Sequence, residues 1–147
     1  MALAIITMLA YINNYRNLYQ APPVTYSLNI QSSAQSWANY LAENSIFKHS
    51  NASYGENIAM IYNTNNDTKS VLESIDLWMS EYKNYNYCAP GYSAKTGHFT
   101  QFIWASVKEI GVGVATDKKN NNYVIMQFNP PGNYLNNFAA NVLCKLC

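Results

Sequence analysis

At 147 residues and 16.6 kDa the chain has the size of one domain, long enough to bury about two thirds of its unfolded surface. Hydrophobic residues at 49% and charged residues at 12% exclude a disordered segment or a coiled coil. A net charge of +1 and a pI near 7.7 supply no broad positive field, so nucleic acid is not expected as a partner.

Met1 to Ala10 is mostly apolar, too short to cross a bilayer, and has no Lys or Arg before Arg16. It reads as the start of a buried first helix, about Ala2 to Tyr19, in preference to a signal peptide cleaved near Ala10. Ala21-Pro22-Pro23 ends that helix. A second helix is expected from about Asn29 to Glu43, with Ile30, Ala34, Trp37, Ala38 and Leu41 on one stripe. Phe47 to Tyr54 reads as loop, followed by a short apolar run from Asn57 to Tyr62. A third helix is predicted over Thr68 to Lys83, and a long ordered loop over Asn84 to Gly97. Three strands close the pattern: Phe99 to Trp104, Ile110 to Thr116 and Tyr123 to Phe128. The polar run Asp117 to Asn122 joins the last two as a hairpin, and a short tail follows Asn129-Pro130-Pro131-Gly132. Helices first and strands later predict an α+β fold, an antiparallel sheet covered by helices.

Three cysteines cannot all pair within the chain, which argues against a disulfide-rich scaffold. Cys144-Lys145-Leu146-Cys147 fits a frayed tail with idle thiols better than a redox or metal CxxC, or a prenylated Cys144. Asn51-Ala52-Ser53 and Asn66-Asp67-Thr68 are glycosylation sequons, but a chain this rich in Asn, Ser and Thr produces such matches by chance.

Only two histidines occur, His49 and His98. Glu56 lies seven residues after His49, and Glu81 sits near the end of the third helix, roughly 60° beyond the edge of its apolar face on a 3.6-residue wheel. Two His and two Glu brought together could hold a divalent metal such as zinc, or work as a general acid and base. Ser50 and Ser53 lie near His49, but no G-x-S-x-G or H-E-x-x-H accompanies them.

Four ordered segments then resemble one family. Gly97-His98-Phe99-Thr100-Gln101-Phe102-Ile103-Trp104 resembles the signature of the CAP superfamily of cysteine-rich secretory proteins, antigen 5 and pathogenesis-related group 1 proteins. Asn13-Asn14-Tyr15-Arg16 is similar to its first-helix motif, with Ile12 in place of a His. His49-Ser50 followed by Gly55-Glu56-Asn57-Ile58 is similar to its second motif. Phe128 to Asn133, FNPPGN, is similar to its C-terminal signature without the preceding Cys. The segment Trp78 to Tyr87 and the few cysteines resemble the Golgi-associated branch most.

The resemblance implies a single domain over residues 1–147, the last few a tail, built as a three-layer α-β-α sandwich around an antiparallel sheet. It implies that His49, Glu56, Glu81 and His98 are the cleft residues, with zinc as the weakly held ion and no catalytic residue. Tyr85, Tyr87 and Tyr92 match the aromatic spacing of the loop to which sterol binding is attributed in relatives. The expected function is therefore non-enzymatic binding of a sterol or fatty acid, at a membrane surface or free. A module that binds a protein partner or a second copy is the alternative, with metal-dependent or serine-type hydrolysis below it. The family implies secretion; its Golgi-associated branch implies an intracellular membrane surface instead.

Overall fold

A computed structural model describes residues 4–146. Helix α1 spans Ile5–Leu18 and buries Met8, Ile12 and Arg16, each four residues from the next and so on one face. Met8 is fully enclosed, so cleavage near Ala10 would strip a core side chain from the fold. Residues Ile5–Leu18 are helical, as the first-helix reading expects; its predicted start at Ala2 lies outside the described residues.

Strand β1 is the pair Thr25–Tyr26, too short to register as a period in the sequence. Helix α2, Leu28–Asn44, starts where the Ser27 hydroxyl accepts the Ile30 amide at 3.2 Å and stops at Ser45, which takes a left-handed conformation. Strand β2, Gly55–Ile61, leads to helix α3, Asp67–Met79, capped by Asn66 accepting from the Lys69 amide at 2.9 Å. A 3-10 turn over Ser80–Asn84 follows α3 directly. The long loop then runs to helix α4, Gly97–Ile103. Strands β3, Glu109–Thr116, and β4, Asn122–Asn129, form the hairpin, and helix α5, Phe138–Asn141, ends the elements.

The sheet order is β1-β3-β4-β2. Pairing is antiparallel between β3 and β4 and between β4 and β2, with β1 adding a short parallel edge to β3. Alternation along β4 separates two cores: Val124, Met126 and Phe128 face α1, α3 and α4, while Tyr123 and Ile125 face α2. The result is the α-β-α sandwich.

Two expectations are corrected. Phe99 to Trp104 is helix α4, not a strand. Phe99 through Ile103 are all buried, so the run shows no polar face from which a period of 2 or 3.6 could be read. What makes it helical lies elsewhere in the chain: the Glu81 carboxylate accepts the His98 and Phe99 amides, both at 3.0 Å, satisfying the first turn. The third helix also ends four residues early, at Met79, where the 3-10 turn redirects the backbone and carries Glu81 toward α4.

Candidate functional site

The edge strand β2 and the first turn of α4 meet at a cleft of about 220 Å³ lined by His49, Glu56, Asn57, Tyr92, His98 and Asn133, with Ala94 and Gly97. The four residues singled out from the sequence form two pairs. His49 Nδ1 lies 2.9 Å from Glu56 Oε1, and His98 Nδ1 lies 2.9 Å from Glu81 Oε2. Neither Nε2 has a hydrogen-bond partner among the described residues.

Each carboxylate is itself held. Glu56 sits on β2 directly opposite Gln127 of β4, and that register lets the Gln127 amide donate to Oε2 at 2.8 Å. The Ser50 hydroxyl donates to the same oxygen at 2.6 Å, and the Ser50 amide to Oε1 at 2.9 Å. Burial pushes the Glu56 carboxyl up, but the bonds from His49, Ser50 and Gln127 outweigh it and hold the group at about 2. The bond to Glu56 also raises the His49 imidazole above its ordinary value, against the opposing effect of partial burial.

Glu81 binds His98 and caps α4, as described above. The His98 ring stacks on Trp78 at 6.3 Å and 16°, and the Asn57 amide donates to the His98 carbonyl at 3.0 Å. Asn133, in the left-handed region at φ 60, receives the Thr100 hydroxyl at 2.6 Å and donates to the Gly97 carbonyl at 2.9 Å. Gln127, Asn57 and Asn133 were not singled out from the sequence. Asn57 and Asn133 lie inside matched motifs, whereas Gln127 becomes visible only with the β2–β4 register.

The donor set decides what a metal would find. Among the described residues no group of three or more His, Cys, Asp or Glu converges as a ready ligand shell. The two carboxylates are engaged on imidazole Nδ1 atoms, the arrangement in which a carboxylate orients a ligating histidine and does not ligate itself. Each Nε2 is therefore the ring nitrogen without a hydrogen-bond partner among the described residues, with Glu56 and Glu81 holding the opposite side of each ring.

Ser50 directs its hydroxyl to Glu56, not to an imidazole, and a carboxylate held at about 2 is a poor proton acceptor. Ser53 has no hydrogen bond to either histidine. The lipid-loop tyrosines divide: Tyr92 lines the histidine cleft and is 59% exposed. Tyr85 and Tyr87 meet edge to face at 4.8 Å, Tyr85 lies against Phe99, and the Tyr87 hydroxyl donates to the Leu143 carbonyl at 3.1 Å. The three do not line one pocket. Cys88 and Cys144 are free and exposed; Cys147 lies outside the described residues.

An α-β-α sandwich with paired histidines and glutamates at the edge of its sheet defines a class, and the sequence agrees. Residues 9–128 match the cysteine-rich secretory protein family, CAP, and the chain belongs to that family. It is 37% identical over 137 residues to the human Golgi-associated plant pathogenesis-related protein 1, covering 89% of this chain and 86% of that protein. Among solved structures, BmVAL-1 superposes with a TM-score of 0.77 at 22% identity, over 97% of this chain and 84% of that one. NaASP2, in a structure described as holding Zn2+, gives 0.74 at 21% identity, over 98% and 87%. No helix among the described residues is long and apolar enough to cross a membrane.

Proposed function

We propose that this chain is a non-enzymatic binding protein whose cleft takes a divalent cation of zinc's class between His49 and His98, and whose 85–92 loop contacts a sterol or fatty acid. The observation that carries the metal reading is the pairing of both imidazoles: each Nδ1 is bound to a carboxylate while each Nε2 has no partner among the described residues, beside a shared cleft. The zinc in the NaASP2 structure supports the choice of ion. Two nitrogen ligands completed by water make a weak, open site. Calorimetric titration with zinc chloride tests it: one ion per chain is expected, with no binding to the His49→Ala/His98→Ala variant. Unchanged binding in that variant removes the reading.

For the lipid, Tyr85 anchors the loop on the core while Tyr87 and Tyr92 keep exposed ring surface, which suits an apolar ligand with a small polar end. A fluorescent sterol is expected to lose most of its binding in Tyr92→Ala, and sterol binding indifferent to both Tyr85→Ala and Tyr92→Ala defeats the assignment. The family's name supports a place outside the cell. Because Met8 is a core residue, the mature protein should begin before Ile5. N-terminal sequencing from the source that finds a start near Tyr11 contradicts this.

A further inference from the structure

A second cavity, of about 280 Å³, lies on another face, between the C-terminal half of α1, the end of α3 and the tail. Its walls are the Tyr15, Tyr19 and Tyr82 side chains with Leu18 and Met79, and Asp76 is its one acidic group. Two phenols aim at that acid: Tyr11 and Tyr15 both donate to Asp76 Oδ1, at 2.5 and 2.7 Å. Oδ2 has no hydrogen bond, and Asp76 has no ion pair among the described residues. The rings are fixed by their own packing, Tyr15 edge-on to Phe102 at 6.3 Å and Tyr19 edge-on to Phe99 at 5.2 Å. A carboxylate with one oxygen free of hydrogen bonds, beside tyrosine side chains and a polarisable thioether, is the chemistry that recognises an organic cation.

We propose that the Asp76 groove binds an organic ammonium, a primary amine carrying an aromatic or short aliphatic body. The ammonium pairs with Oδ2 and lies against the tyrosine rings, while the body fills the space beside Leu18 and Met79. Burial and Asp76 raise the phenol of Tyr15 well above its ordinary value, so it remains a donor to the carboxylate at any physiological pH. Lys145 also lines the cavity, on a tail held down by the Leu146 amide donating to the Leu18 carbonyl at 2.7 Å. Its ammonium lies beyond ion-pair distance of Asp76 and is the group a ligand amine must tolerate.

The test is a titration of the full chain with phenethylammonium chloride at low salt, followed by amide chemical shifts and calorimetry. Two probes run beside it: 2-phenylethanol, the neutral analogue, and decanoate. Saturable phenethylammonium binding is expected, roughly tenfold tighter than the alcohol and weakened by salt, with shifts at residues around Asp76. Asp76→Asn should abolish that preference. Lys145→Gln, on the exposed tail, should bind the amine at least as tightly as the parent. Alcohol or decanoate binding as tightly as the amine overturns the proposal, as does an Asp76→Asn variant with unchanged affinity. Amine binding that persists in His49→Ala/His98→Ala is expected and separates this groove from the histidine cleft.

Discussion

Arg16 shows what a single residue contributes here and how little of that is visible in the chain. It lies at 1% exposure without a carboxylate partner among the described residues, and burial lowers its guanidinium to about 10. Four carbonyls compensate: Pro22 at 2.9 Å, Phe102 at 2.9 Å, Trp104 at 3.1 Å and Val107 at 3.3 Å. Those of Phe102 and Trp104 belong to the C-terminal end of α4, so one side chain ties α1 to the helix that carries His98. Arg16→Met leaves these carbonyls unpaired and should cost about 3–5 kcal/mol in urea unfolding. A loss below about 1 kcal/mol would show that water replaces the guanidinium freely. The sequence placed Arg16 in a matched motif, but its burial follows from packing that no local pattern encodes. The same holds for the histidine site. His49, Glu56, Glu81 and His98 were legible as a set, whereas their division into two pairs depends on where α4 begins. Glu56→Gln should bring the His49 imidazole back toward its ordinary value in a histidine NMR titration; no change would remove Glu56 as the cause.

Among the elements, those with a clear period or a marked turn were readable and helix α4 was not. Helices α2 and α3 bury one stripe of residues and leave the other to solvent, whereas β3 and β4, buried on both faces, were legible from their apolar runs and the polar turn between them. Helix α4 offers neither signal, and its start depends on a carboxylate 17 and 18 residues back in the chain from the His98 and Phe99 amides that it accepts. Strand β1 is a two-residue edge set by its parallel register with Glu109 and Ile110. Helix α2 rests directly on β3, because Gly111 and Gly113 present no side chain to it: a Cβ on either would collide with backbone of Gln31 or Gln35. Gly111→Ala should therefore push α2 outward and lower stability by roughly 2–4 kcal/mol, measured by thermal or urea unfolding. A variant within about 0.5 kcal/mol of the parent would mean that α2 shifts without strain.

For the whole molecule, the cleft lies where segments distant in sequence converge: the His49 loop, β2, the Tyr92 loop, the first turn of α4, and Asn133 beyond β4. Its electrostatics couple to folding with opposite signs. Glu56 drops from 4.5 to about 2 on folding, so its contribution is complete above 4.5 and is lost as pH falls through about 2. At neutral pH that is worth about 3 kcal/mol, so acid unfolding should centre earlier and broaden in Glu56→Gln. His49, raised on folding, contributes fully below its unfolded value near 6.5 and loses that contribution as pH rises through its folded value. Zinc requires the neutral imidazole, so metal affinity should fall as pH drops through the same range.

The most direct test of a two-histidine cation site is a nitrogen NMR titration of the histidine side chains with zinc at pH 7.5. The geometry predicts that Nε2 of His49 and Nε2 of His98 shift together and saturate at one ion per chain, while both Nδ1 resonances keep their carboxylate-bonded character. Shifts confined to one histidine, or coordination through Nδ1 in place of Nε2, would contradict it.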